Sequence, residues 1–172
     1  GAFATSRRVH EPLDHVVQIA ETGLAEGWGA ARVAHGAQWN ELWAPSDVRV
    51  DGNDDDQRAV RFSLFHLLAA ASPDDPGVSI PAKGLTSSGY RGMVFWDTDI
   101  HMVPFFVFTQ PHLARNLLRF RHATLPGARA KAHRLDGVGA CYPWETGVSG
   151  FEETERWLKL ATHQLHSNAD VA

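Results

Sequence analysis

What most limits the fold of this chain is its alternation of helix-length apolar patterns with long loops rich in Gly, Pro and Trp. From Glu11 to Ala25, Leu13, Val16, Val17, Ala20 and Leu24 recur at the spacing of one helix face, and Pro12 suits a first turn. Gly27 and Gly29 interrupt the pattern. It resumes through Val33, Trp39, Leu42 and Trp43 and stops at Ala44-Pro45-Ser46-Asp47, before a short extended piece at Val48-Arg49-Val50. Gln57 to Ala71 predicts a strong helix with Val60, Leu64, Leu67, Leu68 and Ala71 on one face. Asp97 to Phe108 is apolar on nearly every side and predicts a buried inner helix. Thr109-Gln110-Pro111 opens another helix to about Arg121, with Leu113, Leu117 and Leu118 inward and Arg115 and Arg119 outward. Thr124-Leu125-Pro126 then opens an Ala-rich helix that stops at Asp136-Gly137, and Glu153 to Leu165 predicts a last amphipathic helix.

Between these lie two long loops, Val78 to Phe95, with short β-prone pieces, and Gly139 to Gly150. Loops of that length inside a compact domain usually carry function. No internal repeat is present, which argues against an α-solenoid. Paired helices with long loops gathered at one end fit an all-α helical toroid whose loop end holds a cleft.

Composition narrows the function. At 172 residues the chain suffices for one domain with a sizeable core, and a formal net charge of −4 with no long basic stripe argues against a nucleic-acid partner. The most apolar stretch, Ile100 to Phe108, is interrupted by Pro104 and falls well short of a bilayer span, so no membrane role is expected. A single cysteine, Cys141, excludes an internal disulfide framework and fits a reducing, cytoplasmic compartment. Gly1 to Thr5 is not a signal peptide and reads as an excision boundary. The acidic run Asp51-Gly52-Asn53-Asp54-Asp55-Asp56 fails the calcium-loop pattern, which needs Gly at its sixth position and Glu at its twelfth; it is expected to cap the following helix. His163 and His166 are three apart, but no third ligand of suitable spacing joins them, so no metal is expected.

Six tryptophans are many for this length: Trp28, Trp39, Trp43, Trp96, Trp144 and Trp157. Trp most often serves packing. Its other use is to stack on the apolar face of a sugar while nearby carboxylates accept from the hydroxyls. Trp96 and Asp97 are adjacent, so at a helix start they splay about 100° apart, toward the floor and wall of one pocket. The alternative is that Asp97 caps the helix and Trp96 packs beneath it.

Five blocks carry a resemblance: Ile80-Pro81-Ala82-Lys83-Gly84-Leu85-Thr86, Gly89-Tyr90-Arg91-Gly92, Phe95-Trp96-Asp97-Thr98-Asp99, Leu125-Pro126-Gly127-Ala128-Arg129 and Tyr142-Pro143-Trp144-Glu145. Their order and spacing resemble glycoside hydrolase family 65, which includes maltose, trehalose, kojibiose and nigerose phosphorylases and acid trehalases. The similarity runs from about Gln38 to the last residue. It implies part of an (α/α)6 barrel with minor β pieces, residues 1–46 being linker-type helices and residues 47–172 the N-terminal part of the catalytic barrel. Trp96 and Asp97 would bind the glucosyl unit, with Arg91, Trp144 and Glu145 lining the same cleft. His166-Ser167-Asn168-Ala169-Asp170 also resembles a family block near the cleft.

The implied reaction is inverting phosphorolysis of an α-linked glucosyl disaccharide to β-glucose 1-phosphate, with inorganic phosphate as co-substrate and no cofactor. The general-acid Glu is expected in a downstream block, so no catalytic residue is assigned in this chain and the chain alone is expected to be inactive. Glu145 matches a substrate-lining position and not the acid's. An acid trehalase-like hydrolase and a non-catalytic sugar-binding helical module are the alternatives. Inner helices without partners imply self-association or completion by further chain segments.

Overall fold

The structure, a computed structural model, describes Ala4 and residues 9–172. It divides into two compact units, the first ending at Ala44 and the second spanning Pro45–Ala172.

The first unit is dominated by one long helix, α1 (Pro12–Trp43), which Pro12 opens in its first turn. The expected interruption falls at Gly27 alone, whose φ of 78° and ψ of 164° leave the helical region; Gly29 stays helical. Of the described residues in α1, none is buried.

In the second unit, α2 (Asp54–Ala70) starts at Asn53, whose side-chain oxygen accepts from the backbone N–H groups of Asp55 (2.9 Å) and Asp56 (3.3 Å). Asn53, within the run expected to cap this helix, is therefore the cap residue. Asp54, Asp55 and Asp56 occupy the first turn, where the positive dipole end favours them. The extended piece before α2 is not a strand: the Gln57 side chain holds it, accepting from Val50 N–H and donating to the Val48 carbonyl. Asp47 takes both arms of the Arg61 guanidinium at 2.8 and 2.6 Å. Arg61 in turn keeps the Asp47 carboxyl below the usual carboxylate range.

The long loop after α2 ends in a two-residue strand, β1 (Val94–Phe95). A single π-type turn (Thr98–Met102) then leads into the seven-residue helix α3 (Val103–Thr109). The helix expected across Asp97–Phe108 is thus present from Asp97 to Thr109, but its first part is wound as a π-type turn and it is not buried all round. Val103 and Phe106 face the core, whereas Val107 and Phe108 are 47% and 86% exposed.

Helix α4 (Pro111–Arg134) runs unbroken through Pro126. The sequence reading split it there, because Pro126 removes the N–H that would meet the carbonyl of His122. An interior proline costs a helix about 3 kcal/mol. Against that, α4 buries Leu113, Leu117 and Phe120 on one stripe, each contributing about 1.5–3 kcal/mol. Tertiary packing wins. Leu118, expected inward, lies off this stripe and is 50% exposed.

The second long loop contains β2 (Glu145–Thr146), antiparallel to β1 with Val94 opposite Thr146 and Phe95 opposite Glu145. Behind it, Gly150 crosses α4 at Gly127 with backbone against backbone. A Cβ on Gly127 would lie 2.1 Å from the Gly150 carbonyl oxygen, and one on Gly150 2.6 Å from that of Thr124. Gly150 also has φ of 73°, a conformation that disfavours other residues.

The amphipathic helix expected over Glu153–Leu165 is absent. Glu153 N–H donates to the Glu145 carbonyl and the Glu152 carboxylate is committed to the loop, so the segment is tied to β2 before it can wind. Only two one-turn 3-10 helices form, Arg156–Leu158 and Ala161–His163, before the short α5 (His166–Val171).

The Gly127–Gly150 crossing makes a direct prediction. Gly127→Ala should lower the stability of the Pro45–Ala172 unit by about 3 kcal/mol in urea denaturation, since neither backbone can yield. Gly36→Ala, which meets nothing, should change stability by no more than about 1 kcal/mol and in the favourable direction. Equal effects of the two would refute the crossing.

Candidate functional site: a cleft of indoles and carboxylates

All five residues singled out in the sequence line one cavity of about 730 Å³: Arg91, Trp96, Asp97, Trp144 and Glu145. The β1–β2 pair brings them together. Trp96 and Asp97 follow β1 directly, Trp144 precedes β2, and Glu145 sits in β2 opposite Phe95. The aromatic wall is continuous. The Trp96 and Trp144 ring centroids are 5.6 Å apart, Phe95 lies edge-on to Trp144 at 6.5 Å, and Tyr90 edge-on to Phe95 at 5.2 Å.

The polar groups differ sharply in how they are held. Asp97 stands at the start of the π-type turn but makes no side-chain cap hydrogen bond. Half-buried on the cavity wall, its carboxylate makes no hydrogen bond or ion pair among the described residues. Trp96 is similarly unspent: its buried indole N–H has no hydrogen-bond partner. A buried Trp usually finds one.

Glu145 is 5% exposed. Burial pushes its carboxyl up from the usual 4.5, while the Arg91 guanidinium 3.7 Å away and the backbone of Glu155 pull it back. Arg91 donates to the Glu153 carbonyl at 2.6 Å and lies 3.7 Å from Glu155 as well as from Glu145. Its φ of 54°, shared with Tyr90 at 55°, is a left-handed backbone unusual for residues with side chains. Strain of this kind clusters at binding sites.

Several residues behind the cleft escaped the sequence reading. Lys131, on α4, is buried and donates to Glu152 at 2.6 Å and to the Tyr142 carbonyl at 3.3 Å. Glu152 also accepts from the Trp144 N–H at 3.3 Å and from the Thr154 hydroxyl at 2.6 Å. Arg121, ten residues earlier on the same stripe of α4, binds Asp99 and the Phe95 carbonyl. Both cations share the stripe of Leu117, Phe120, Thr124 and Ala128, and that register was the available signal. His166, held by Asp170 at 2.7 Å, stands edge-on to Trp96 at 4.7 Å and to Trp144 at 5.7 Å. Trp157 lines the outer part of the cavity with 78% of its surface exposed. Its place there depends on the irregular 153–165 segment, which the helical reading hid.

Comparison with known proteins places this arrangement among carbohydrate-active enzymes. The profile of the glycosyl hydrolase family 65 central catalytic domain matches residues 61–172. A kojibiose phosphorylase of Caldanaerobacter subterraneus subsp. tengcongensis is 40% identical over 87% of this chain and 21% of its own length. An alpha,alpha-trehalose phosphorylase of Thermoanaerobacter brockii is 41% identical over 77% of this chain and 17% of its own. A solved structure provisionally named a kojibiose phosphorylase, from the human microbiome, superposes with a TM-score of 0.84 at 32% identity, covering 92% of this chain and 22% of that one. The chain belongs to glycosyl hydrolase family 65. Its helices form part of that family's (α/α)6 barrel, and it spans about a fifth of the length of these relatives.

Two outcomes follow from the electrostatics. Lys131→Met leaves the largely covered Glu152 carboxylate without its cation, and should cost about 3 kcal/mol of stability in urea denaturation. Adding Glu152→Gln should recover at least half of that, and a double variant no more stable than the single would exclude the ion pair as the cause. For Glu145 the folded carboxyl is raised above its unfolded value, so the folded state binds the extra proton. Stability therefore falls as pH rises from 4.5 through the folded pKa. The stability difference between wild type and Glu145→Gln should decline across that window, and a flat difference from pH 4 to 7 would contradict the burial.

Proposed function

We propose that this chain forms the glucosyl-binding part of the cleft of an α-glucoside phosphorylase. The observation that carries the reading is the unspent Trp96–Asp97 pair, an indole N–H and a carboxylate without partners among the described residues on the wall of a 730 Å³ cavity. A cavity of about 300–1,000 Å³ suits a small ligand, and aromatic walls with a few convergent polar groups suit a sugar. The glucosyl ring would lie against the indoles of Trp96 and Trp144. Asp97 would accept from its hydroxyls, and Arg91 and Glu145 would hold the opposite edge.

In the reaction, phosphate oxygen attacks the anomeric carbon as the glycosidic C–O bond breaks, giving β-glucose 1-phosphate. The leaving sugar oxygen takes a proton from a general acid. None of this chain's carboxylates is assigned that proton, and the chain by itself would hold sugar without cleaving it. The relatives' names, kojibiose, alpha,alpha-trehalose and nigerose phosphorylase, favour phosphorolysis over hydrolysis and a glucosyl donor with varied acceptors. The reading needs no cofactor beyond phosphate as co-substrate. It sets the protein in the cytoplasm, in keeping with a buried free thiol at Cys141 and no described helix long and apolar enough to cross a membrane. The exposed Val107, Phe108 and Leu118 would be covered by a second copy or by further barrel helices.

Glucose titrated into this chain should quench its tryptophan fluorescence saturably, and sorbitol at equal concentration should not. Asp97→Asn should weaken the response at least tenfold, about the worth of one charge-assisted hydrogen bond. Kojibiose or trehalose incubated with the chain and phosphate should release no glucose 1-phosphate. Equal quenching by sorbitol, or an Asp97→Asn variant that binds like wild type, would sink the sugar site.

A further inference from the structure

We propose that Arg121 is the positioning residue of the cleft, and that its guanidinium fixes the Trp96–Asp97 pair from both sides at once. The proposal rests on the reading of that pair as the glucosyl-binding element.

The segment that carries Trp96 and Asp97 has little of its own to hold it. β1 ends at Phe95, the π-type turn begins at Thr98, and the two site residues form the junction. At that junction the Asp99 N–H donates to the Trp96 carbonyl at 2.9 Å. Single π-type turns are costly and recur at functional sites.

Arg121 reaches this junction from α4 and is 3% exposed. Its Nη2 donates to the Phe95 carbonyl at 2.7 Å, directly before Trp96. Its Nε and Nη2 donate to the Asp99 carboxylate at 3.0 and 2.5 Å, two residues after Asp97. One rigid fork therefore spans the junction. Thr98, whose hydroxyl donates to the Ile80 carbonyl, pins the far side.

Stability alone does not explain an arginine here. A buried ion pair gains little over apolar side chains of the same shape, and Arg121 leaves a third nitrogen, Nη1, buried without a partner. A lysine would neutralise Asp99 as well, but its single ammonium cannot hold the carboxylate and the carbonyl in one plane. What only arginine supplies is the fixed angle between the two. His166 and Trp144 then pack against Trp96, with ring centroids 4.7 and 5.6 Å away.

The test uses Arg121→Lys and Asp99→Asn in this chain, with Arg119→Lys on the exposed side of α4 as control. Two readouts are taken well below the melting temperature: glucose affinity by fluorescence, and the six indole N–H signals in a nitrogen–proton correlation spectrum, with Trp96 assigned by Trp96→Phe. Arg121→Lys should keep the fold, weaken glucose binding roughly tenfold, and move the Trp96 signal more than those of the tryptophans in α1. Asp99→Asn should move the same signal in the same direction. If Arg121→Lys lowers the melting temperature but leaves the Trp96 signal and the affinity at wild-type values, Arg121 is structural only and the proposal is overturned. Unfolding of both variants would overturn it too, by assigning the pair to stability. If wild type binds no glucose, the sugar reading fails, while the Trp96 signal still decides whether Arg121 sets the junction.

Discussion

The buried ion pair between Arg121 and Asp99 governs when the cleft can exist. Both side chains are all but removed from solvent. Burial pushes the Asp99 carboxyl up, and the Arg121 guanidinium pulls it back. Desolvating a guanidinium without its partners would cost several kcal/mol. In the folded structure the apolar stripe of α4 is therefore seated together with Asp99 and the Phe95 carbonyl, which receive Arg121. The seat of α4 and the shape of the Phe95–Asp99 junction share these contacts. The hydroxyl of Tyr142, donating to the Arg121 carbonyl at 3.2 Å, ties the second loop to the same point of α4.

Lys131 repeats the arrangement toward the other end of α4. Ten residues separate the two cations, about 15 Å of helix. Arg121 anchors the strand that leads to Trp96, and Lys131, through Glu152 and the Tyr142 carbonyl, anchors the strand that follows Trp144. Two strands of two residues each could not hold this spacing, since even a full isolated hairpin is marginal in water. The distance between the two sides of the cleft is set by a helix, and the strands only report it. The backbone crossing of Gly150 over Gly127 lies between the two anchors and fixes how deep the loop sits.

Much of this was legible in the sequence, and the failures have a common cause. The stripes that predict α2 and α4 are periodic and local, and they fold where expected. The break assigned to Pro126 was wrong because a local rule met a tertiary contact: the buried stripe continues through Gly127 and Ala128 to Lys131. The helix assigned to Glu153–Leu165 was wrong too, since the start of that segment is tied to the second loop, Glu153 N–H donating to the Glu145 carbonyl and the Glu153 carbonyl accepting from Arg91. In the site, the five nominated residues were reachable because they sit in sequence blocks that resemble a family, and they do meet in one cavity. Arg121 and Lys131 were not singled out, because a charged residue on a helix is ordinarily solvent-facing. Only their register with Leu117 and Phe120 marked them as buried.

The two acidic residues of the cavity show why this constellation is suited to a ligand rather than to the fold's own stability. Glu145 is provided for: a guanidinium lies within 4 Å and a backbone group supports its carboxyl. Asp97 and the indole N–H of Trp96, one residue apart, are not. A buried donor without an acceptor costs about 1–3 kcal/mol. A fold selected for stability alone would have given that N–H an oxygen, and Asp97 a cation. The surrounding structure does the reverse. It spends a guanidinium, a carboxylate and a buried threonine on holding these two groups in place, and leaves the groups themselves without partners. Rigid support behind an unsatisfied donor and acceptor is the arrangement that gives a polar ligand its hydrogen bonds at little cost in ordering. A pyranose edge, which offers a hydroxyl to each of them, is a chemical match for the pair.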